Sequence, residues 1–183
     1  MTSHASSSAS SSTSSSAALP IAHVVLRILV IMNWIYGAGI FVLLVAMPTR
    51  QWIMSSLDLS PSPEAERVIL SLRAIAVIGL AAVPLHYAIL KRLLAMVETV
   101  RAGDPFVAAN ASRLQAIAWV LLTLQCLSIA VGALAKGVST PGHPFNVDAG
   151  FSISGWLAVL LTFLLARVFA EGTLMRDDLE GTV

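Results

Sequence analysis

The sequence predicts an all-α, polytopic membrane protein: four transmembrane helices, with a cytoplasmic helical hairpin between spans two and three. Three observations carry that reading. Of the 183 residues, 57% are hydrophobic and only 11% are charged, whereas soluble domains carry about 25% charged residues. The mean hydropathy is +0.84. The apolar residues also gather into four long runs, and a spanning helix needs about 20 mostly apolar residues. Helices are expected because hydrocarbon offers no partner to a free backbone amide.

The chain opens with "MTSHASSSASSSTSSSAA", residues 1–18. Ser, Ala and Thr have little to bury, so this segment reads as a disordered tail. It lacks the positive start of a signal peptide, and the apolar run that follows is too long for one. The four-helix domain then covers residues 19–171, with spans at about 24–47, 69–90, 112–135 and 151–170. The first is centred on "ILVIMNWIYGAGIFVLLVAM" and stops at Pro48. The second contains "AIAVIGLAAVPLHYAIL", where Pro84 removes the amide that would bond to the Leu80 carbonyl and predicts a kink. The third is "LQAIAWVLLTLQCLSIAVGALA" and the fourth is built on "FSISGWLAVLLTFLLA". An acidic tail, residues 172–183, follows. Cys126 is the only cysteine, so no disulfide forms within the chain.

Charge position predicts orientation. Lys91, Arg92, Arg101 and Arg113 surround the middle loop, Arg27 precedes the first span, and Arg167 and Arg176 follow the fourth. Arg50, Arg67, Arg73 and Lys136 fall on the other side. The positive-inside rule then puts the middle loop and both termini in the cytoplasm, in a cytoplasmic (inner) membrane. Net charge is +1, so no global field draws nucleic acid and no direct binding of it is expected.

The second span does not end at Leu90. Leu90, Leu93, Leu94, Val97 and Val100 continue at helical spacing, with Lys91, Arg92 and Glu98 elsewhere, so the helix emerges as an amphipathic extension. Gly103 suits the position just past its end. Asp104 suits the N-cap of the next helix and Pro105 its first turn. Phe106, Asn110, Leu114 and Ala118 then share one face, which turns Asn110 toward other protein.

These residues carry a family resemblance. "AGDPFVAANASRLQAIAW", with the ending "VFAEGTLMRDDLEGTV", resembles the uncharacterised bacterial membrane proteins called domain of unknown function 2975. The matching positions are Gly103, Pro105, Phe106, Asn110, Arg113, Leu114, Gly172, Asp177, Asp178, Thr182 and Val183. The resemblance implies a small four-span protein with no assigned activity and no catalytic residues to carry over. Genes of such proteins often neighbour a small helix-turn-helix transcriptional regulator, so it also implies a cytoplasmic regulatory partner.

In the tail, Arg167 and Glu171 stand at i, i+4 and Gly172 is placed to end the helix. Asp177, Asp178 and Glu180 then face the cations of the middle loop from the same side of the membrane, which predicts an acidic tail docked on a basic hairpin. Within the spans, Asn33, Gln115 and Gln125 are expected as interhelical bridges, Arg73 as a snorkelling cation, and Ser128 with Gly132 as a close-approach pair. Trp52 and Trp156 suit the outer interface. His23 and His86, near the same ends of adjacent spans, would have to meet across one iron to hold haem. His143 reads as a loop residue.

No Walker loop, metalloprotease motif or nucleophile elbow is present. The expectation is a membrane component with no enzymatic activity, no cofactor and no metal. Its partners are the lipid bilayer, a cytoplasmic regulator and other copies of itself. The alternative is a small transporter or channel subunit whose path uses Asn33, Gln115, Gln125 and Arg73.

Overall fold

A computed structural model of the chain describes residues 12–46, 63–138 and 150–180. Four helices make up the described residues: α1 (Ser12–Ala46), α2 (Pro63–Arg101), α3 (Ala108–Val138) and α4 (Ile153–Glu180). Each is long and apolar enough to cross a membrane. The protein is a multi-pass membrane protein.

α1 begins at Ser12, inside the segment expected to be unstructured. The helix extends backward from the apolar span through Pro20 and then through Ser, Thr and Ala, residues that tolerate a helix better than Gly or Pro does. Residues 1–11, Trp52, His143 and the loops that hold them lie outside the described residues.

The 39 residues of α2 make a rod of about 58 Å, close to twice the ~30 Å hydrocarbon thickness. The helix continues past Leu90 to Arg101, as the sequence predicts. α2 remains helical through Pro84, and α1 packs against it there. Asn33 Nδ2 donates to the Val83 carbonyl at 3.1 Å, one residue from the proline rather than at Leu80. A Cβ on Gly37 would stand 2.9 Å from Val83 Cγ1, so the missing side chain lets α1 approach. Trp34 and Tyr87 meet with ring centroids 5.7 Å apart.

Neighbouring helices run antiparallel and each packs only on the next in sequence: α1 on α2, α2 on α3, α3 on α4. Among the described residues the result is an open series of hairpins, not a closed bundle. Its core lies along the seams, at Val83 against α1 and at Leu114, Ile117, Ala118, Val159 and Ala166 along α3 and α4. Much of the α1 circumference, from Ile28 to Val45, is apolar and uncovered by protein, as a lipid-facing surface requires.

At the end opposite the hairpin, Ser128 Oγ lies 3.3 Å from both the carbonyl and the amide of Gly150. Gly150 has φ +129° and sits over Gly132, so the expected close-approach pair receives the chain as it enters α4. Trp156, one turn into α4, stacks on Phe151.

Candidate functional site

The residues singled out around the middle loop do come together, but in a different arrangement from the one their spacing predicts. α2 ends in a Schellman motif. The Gly103 amide donates to the Val100 carbonyl at 3.1 Å and the Asp104 amide to the Thr99 carbonyl at 3.1 Å. Gly103 has φ +87°, which glycine adopts without the strain a Cβ would bring. Asp104 is thus the third residue past α2, not the N-cap of α3. Pro105 precedes α3 by three residues instead of standing in its first turn, because the chain needs residues 104–107 to turn back.

Asn110 fills the turn. It is 0% exposed. Its Nδ2 donates to Thr99 Oγ1 at 2.7 Å and to the Pro105 carbonyl at 2.9 Å. Its Oδ1 accepts from the Arg113 guanidinium at 2.8 Å. Arg113 also donates to the Ala95 carbonyl at 3.3 Å, and Thr99 Oγ1 to the Met96 carbonyl at 2.8 Å. One side chain therefore ties the end of α2, the turn and the start of α3. Both Nδ2 hydrogens are used, so the buried amide carries no unmet donor. Arg113 is committed inward and does not present its charge to the tail.

The expected faces hold for Asn110, Leu114 and Ala118, all buried. Phe106 turns toward α4 instead, 46% exposed, with its ring 5.4 Å from that of Phe169. Gly172 does not end a helix. α4 continues to Glu180, and the space a Gly172 Cβ would take lies 3.4 Å from Phe106 Cδ1. The glycine is the flat spot on which that ring rests. Residues 172–180 are therefore a continuation of α4, not a separate tail.

An ion pair described between tail and turn has the opposite sense to the expected acidic docking, whose Asp177, Asp178 and Glu180 side chains lie outside the described residues. Arg176 of α4 binds the Asp104 carboxylate. The cation comes from the tail and the anion from the turn. The i, i+4 pair is present as expected, with Arg167 Nη2 2.8 Å from Glu171 Oε1. Asp177 and Asp178 fall on the last turns of α4, and their side chains lie outside the described residues, as do Thr182 and Val183. Thr99, Phe169 and the Ala95 carbonyl belong to the site and were not singled out from sequence. A hydroxyl four residues before a helix-ending glycine was the one signal for Thr99.

The polar residues of the spans do not converge. Asn33 bridges α1 and α2. Gln125 is 8% exposed and lies flat on Gly155 of α4, its Nε2 without a partner. Gln115 and Arg73 are exposed on other faces. His86 Nδ1 donates to the Ala82 carbonyl at 2.8 Å. With Asn33 level with Val83, the helical rise puts His23 about 10 Å along the axis from His86, too far for both to ligate one iron. Among the described residues, no group of three or more His, Cys, Asp or Glu could hold a metal ion.

No curated protein matches the chain, and no solved structure does. Residues 52–183, from the segment before α2 through the end of the chain, match the family described as Protein of unknown function (DUF2975), which leaves α1 outside the match. The hairpin of Gly103, Pro105, Phe106, Asn110 and Arg113 and its seat on Gly172 all lie within that stretch, and the chain belongs to this family.

Proposed function

We propose that this chain is a non-enzymatic membrane component that receives a cytoplasmic partner on the joint surface of its hairpin and the end of α4. One observation carries the reading: the turn and the tail form a single patch, with Asp104 on Arg176 and Phe106 on Phe169 and Gly172. The patch is apolar at its centre and charged at its edge. Leu174 and Met175 are exposed beside it. The basic residues flanking the hairpin support a cytoplasmic position for this end of the molecule. The family resemblance supports a small helix-turn-helix regulator as the class of partner. Association with a second copy of the chain is the competing outcome.

Transport is the weaker reading, because Asn33, Gln115, Gln125 and Arg73 sit on separate faces and line no common path. The test is co-purification in mild detergent, followed by mass spectrometry. The full chain is compared with a chain lacking residues 172–183 and with Asp104→Arg. A DNA-binding or other cytoplasmic protein held by the full chain and lost by both variants supports the proposal. Recovery of nothing, or only of the chain itself, overturns it.

A further inference from the structure

A groove of about 520 Å³ runs between α3 and α4 on the face away from α2, starting at the hairpin end. Ligand sites commonly fall in the range of roughly 300–1,000 Å³. Small residues open it: Ala108 and Ala111 on α3, Ala166 and Ala170 on α4. Its polarity changes along its length. Toward the hairpin end it is lined by Ser112, Gln115 and Arg167. Toward the middle of the membrane it is lined by Phe163, which closes on Trp119 edge to face with centroids 5.4 Å apart. The surface around it is apolar and uncovered, at Leu160, Leu164 and Leu174.

Two features define what would fill the polar end. Gln115 lies about one turn inside its span, is exposed and makes no hydrogen bond among the described residues, so its amide is open to a partner from outside the protein. Arg167 and Glu171 stand together at the rim, paired with each other but with side chains 77% and 56% exposed. An exposed pair of this kind is weakly held and presents a cation and an anion one helical turn apart. A soluble ligand would leave the aromatic end empty. A helix from another protein would find too short a trough, since Ala108 to Trp119 spans only about 16 Å. An amphiphile aligned with the helices matches both ends.

We propose that this groove binds one phospholipid of the adjacent leaflet, and that the preferred headgroup is the zwitterionic phosphoethanolamine. Arg167, Ser112 and Gln115 take the phosphate diester. Glu171 takes the ammonium. An acyl chain lies against Phe163 and Trp119. An anionic headgroup would satisfy Arg167 and leave Glu171 facing negative charge.

The test uses the full chain, purified in detergent and stripped of lipid. Phosphatidylethanolamine, phosphatidylcholine and phosphatidylglycerol of equal chain length are added in turn, and bound lipid is counted by native mass spectrometry. The expected order is ethanolamine tightest. Arg167→Ala removes a charge-assisted bond and should weaken binding roughly tenfold. Ala108→Phe fills the groove from an exposed position and should abolish binding. Lys91→Ala removes an exposed cation on α2 and should leave binding unchanged. Unfolding midpoints matched to the unsubstituted chain establish that each variant is folded. Equal retention by the Arg167 and Ala108 variants overturns the site. Choline or glycerol headgroups bound as tightly as ethanolamine overturn the Glu171 contact.

Discussion

Asn110→Leu is the sharpest perturbation of the hairpin. The substitution preserves approximate side-chain size and removes three hydrogen bonds at once: two donated to Thr99 Oγ1 and the Pro105 carbonyl, and one accepted from Arg113. A neutral bond contributes about 1 kcal/mol and one to a charged group about 1.5–3 kcal/mol. The gross loss is therefore about 4 kcal/mol, of which burying the leucine returns about 1–2 kcal/mol. The expected net destabilisation is about 2–3 kcal/mol, confined first to the turn. Two measurements check it. Unfolding in mixed micelles titrated with dodecyl sulfate gives the global value. Hydrogen exchange gives the local one, because the amides of Ala102, Gly103, Asp104 and Asn110 are all bonded within the turn and should lose protection. Asn110→Asp separates the contributions: it keeps an acceptor for Arg113 but faces the Pro105 carbonyl with oxygen, so it too should destabilise. Pairing Asn110→Leu with Arg113→Leu in a double-mutant cycle should give a coupling of about 1 kcal/mol or more. A net effect below about 0.5 kcal/mol, the range of ordinary surface changes, with exchange unchanged, would refute the idea that Asn110 holds the hairpin.

Gly172→Ala should be neutral or stabilising by up to about 1 kcal/mol, since the added Cβ just meets Phe106 and alanine favours the helix. Gly172→Ile should instead displace Phe106 from Phe169, seen as increased probe access to a cysteine placed at position 106. Gly155→Ala should loosen the α3–α4 seam, because its Cβ overlaps Gln125 Oε1 and stands 2.9 Å from Cδ; Gln125→Ala in the same chain should restore the unfolding midpoint, and failure of that rescue would refute the contact. Asp104→Asn should cost less than about 1 kcal/mol, as exposed ion pairs do. It should still broaden the distance between spin labels on the turn and on the end of α4, an effect that high salt reproduces in the unsubstituted chain.

The helices were legible because hydropathy and length decide them before any tertiary contact forms. The α2 extension was legible for a related reason, since Leu90 to Val100 keep the period of a helix past the membrane. Gly103 as a terminator followed from its conformational freedom, and a buried Asn110 from the face it shares with Leu114 and Ala118. What sequence order did not give was direction. Asp104 obeys the spacing of an N-cap, yet the Schellman bonds at Gly103 claim its amide for α2. Gly172 has the character of a helix end, but the Phe106 ring resting on it gives the glycine a packing reason within a continuing helix. The charge pattern placed an acidic tail before a basic loop, and net charge by segment hid that Arg176 and Asp104 each carry the minority sign of their own segment. Arg113 counted as a surface cation until the Asn110 acceptor and the Ala95 carbonyl drew it inward.

The serial packing of the helices gives the hairpin–tail contact a consequence of its own. Among the described residues α4 packs on α3 and makes no contact with the body of α2. Asp104 is the third residue beyond α2 and is bonded through its amide to Thr99 of that helix, while its carboxylate holds Arg176 of α4. The turn is thus where the last helix is tied to the second. Asn110 fixes one side of that tie through buried, fully satisfied bonds, and the Asp104–Arg176 pair fixes the other through an exposed one. The inner half should stay closed under conditions that open the outer half. A ligand that competes for Asp104 or Arg176 would therefore loosen the end of α4 without unfolding the hairpin, with the Phe106 contact and the buried Thr173 still in place. Local opening at so small a cost marks segments that respond to binding. That asymmetry, strong inside and weak outside, is the physical reason to look for the partner at the outer face of this turn rather than within the membrane.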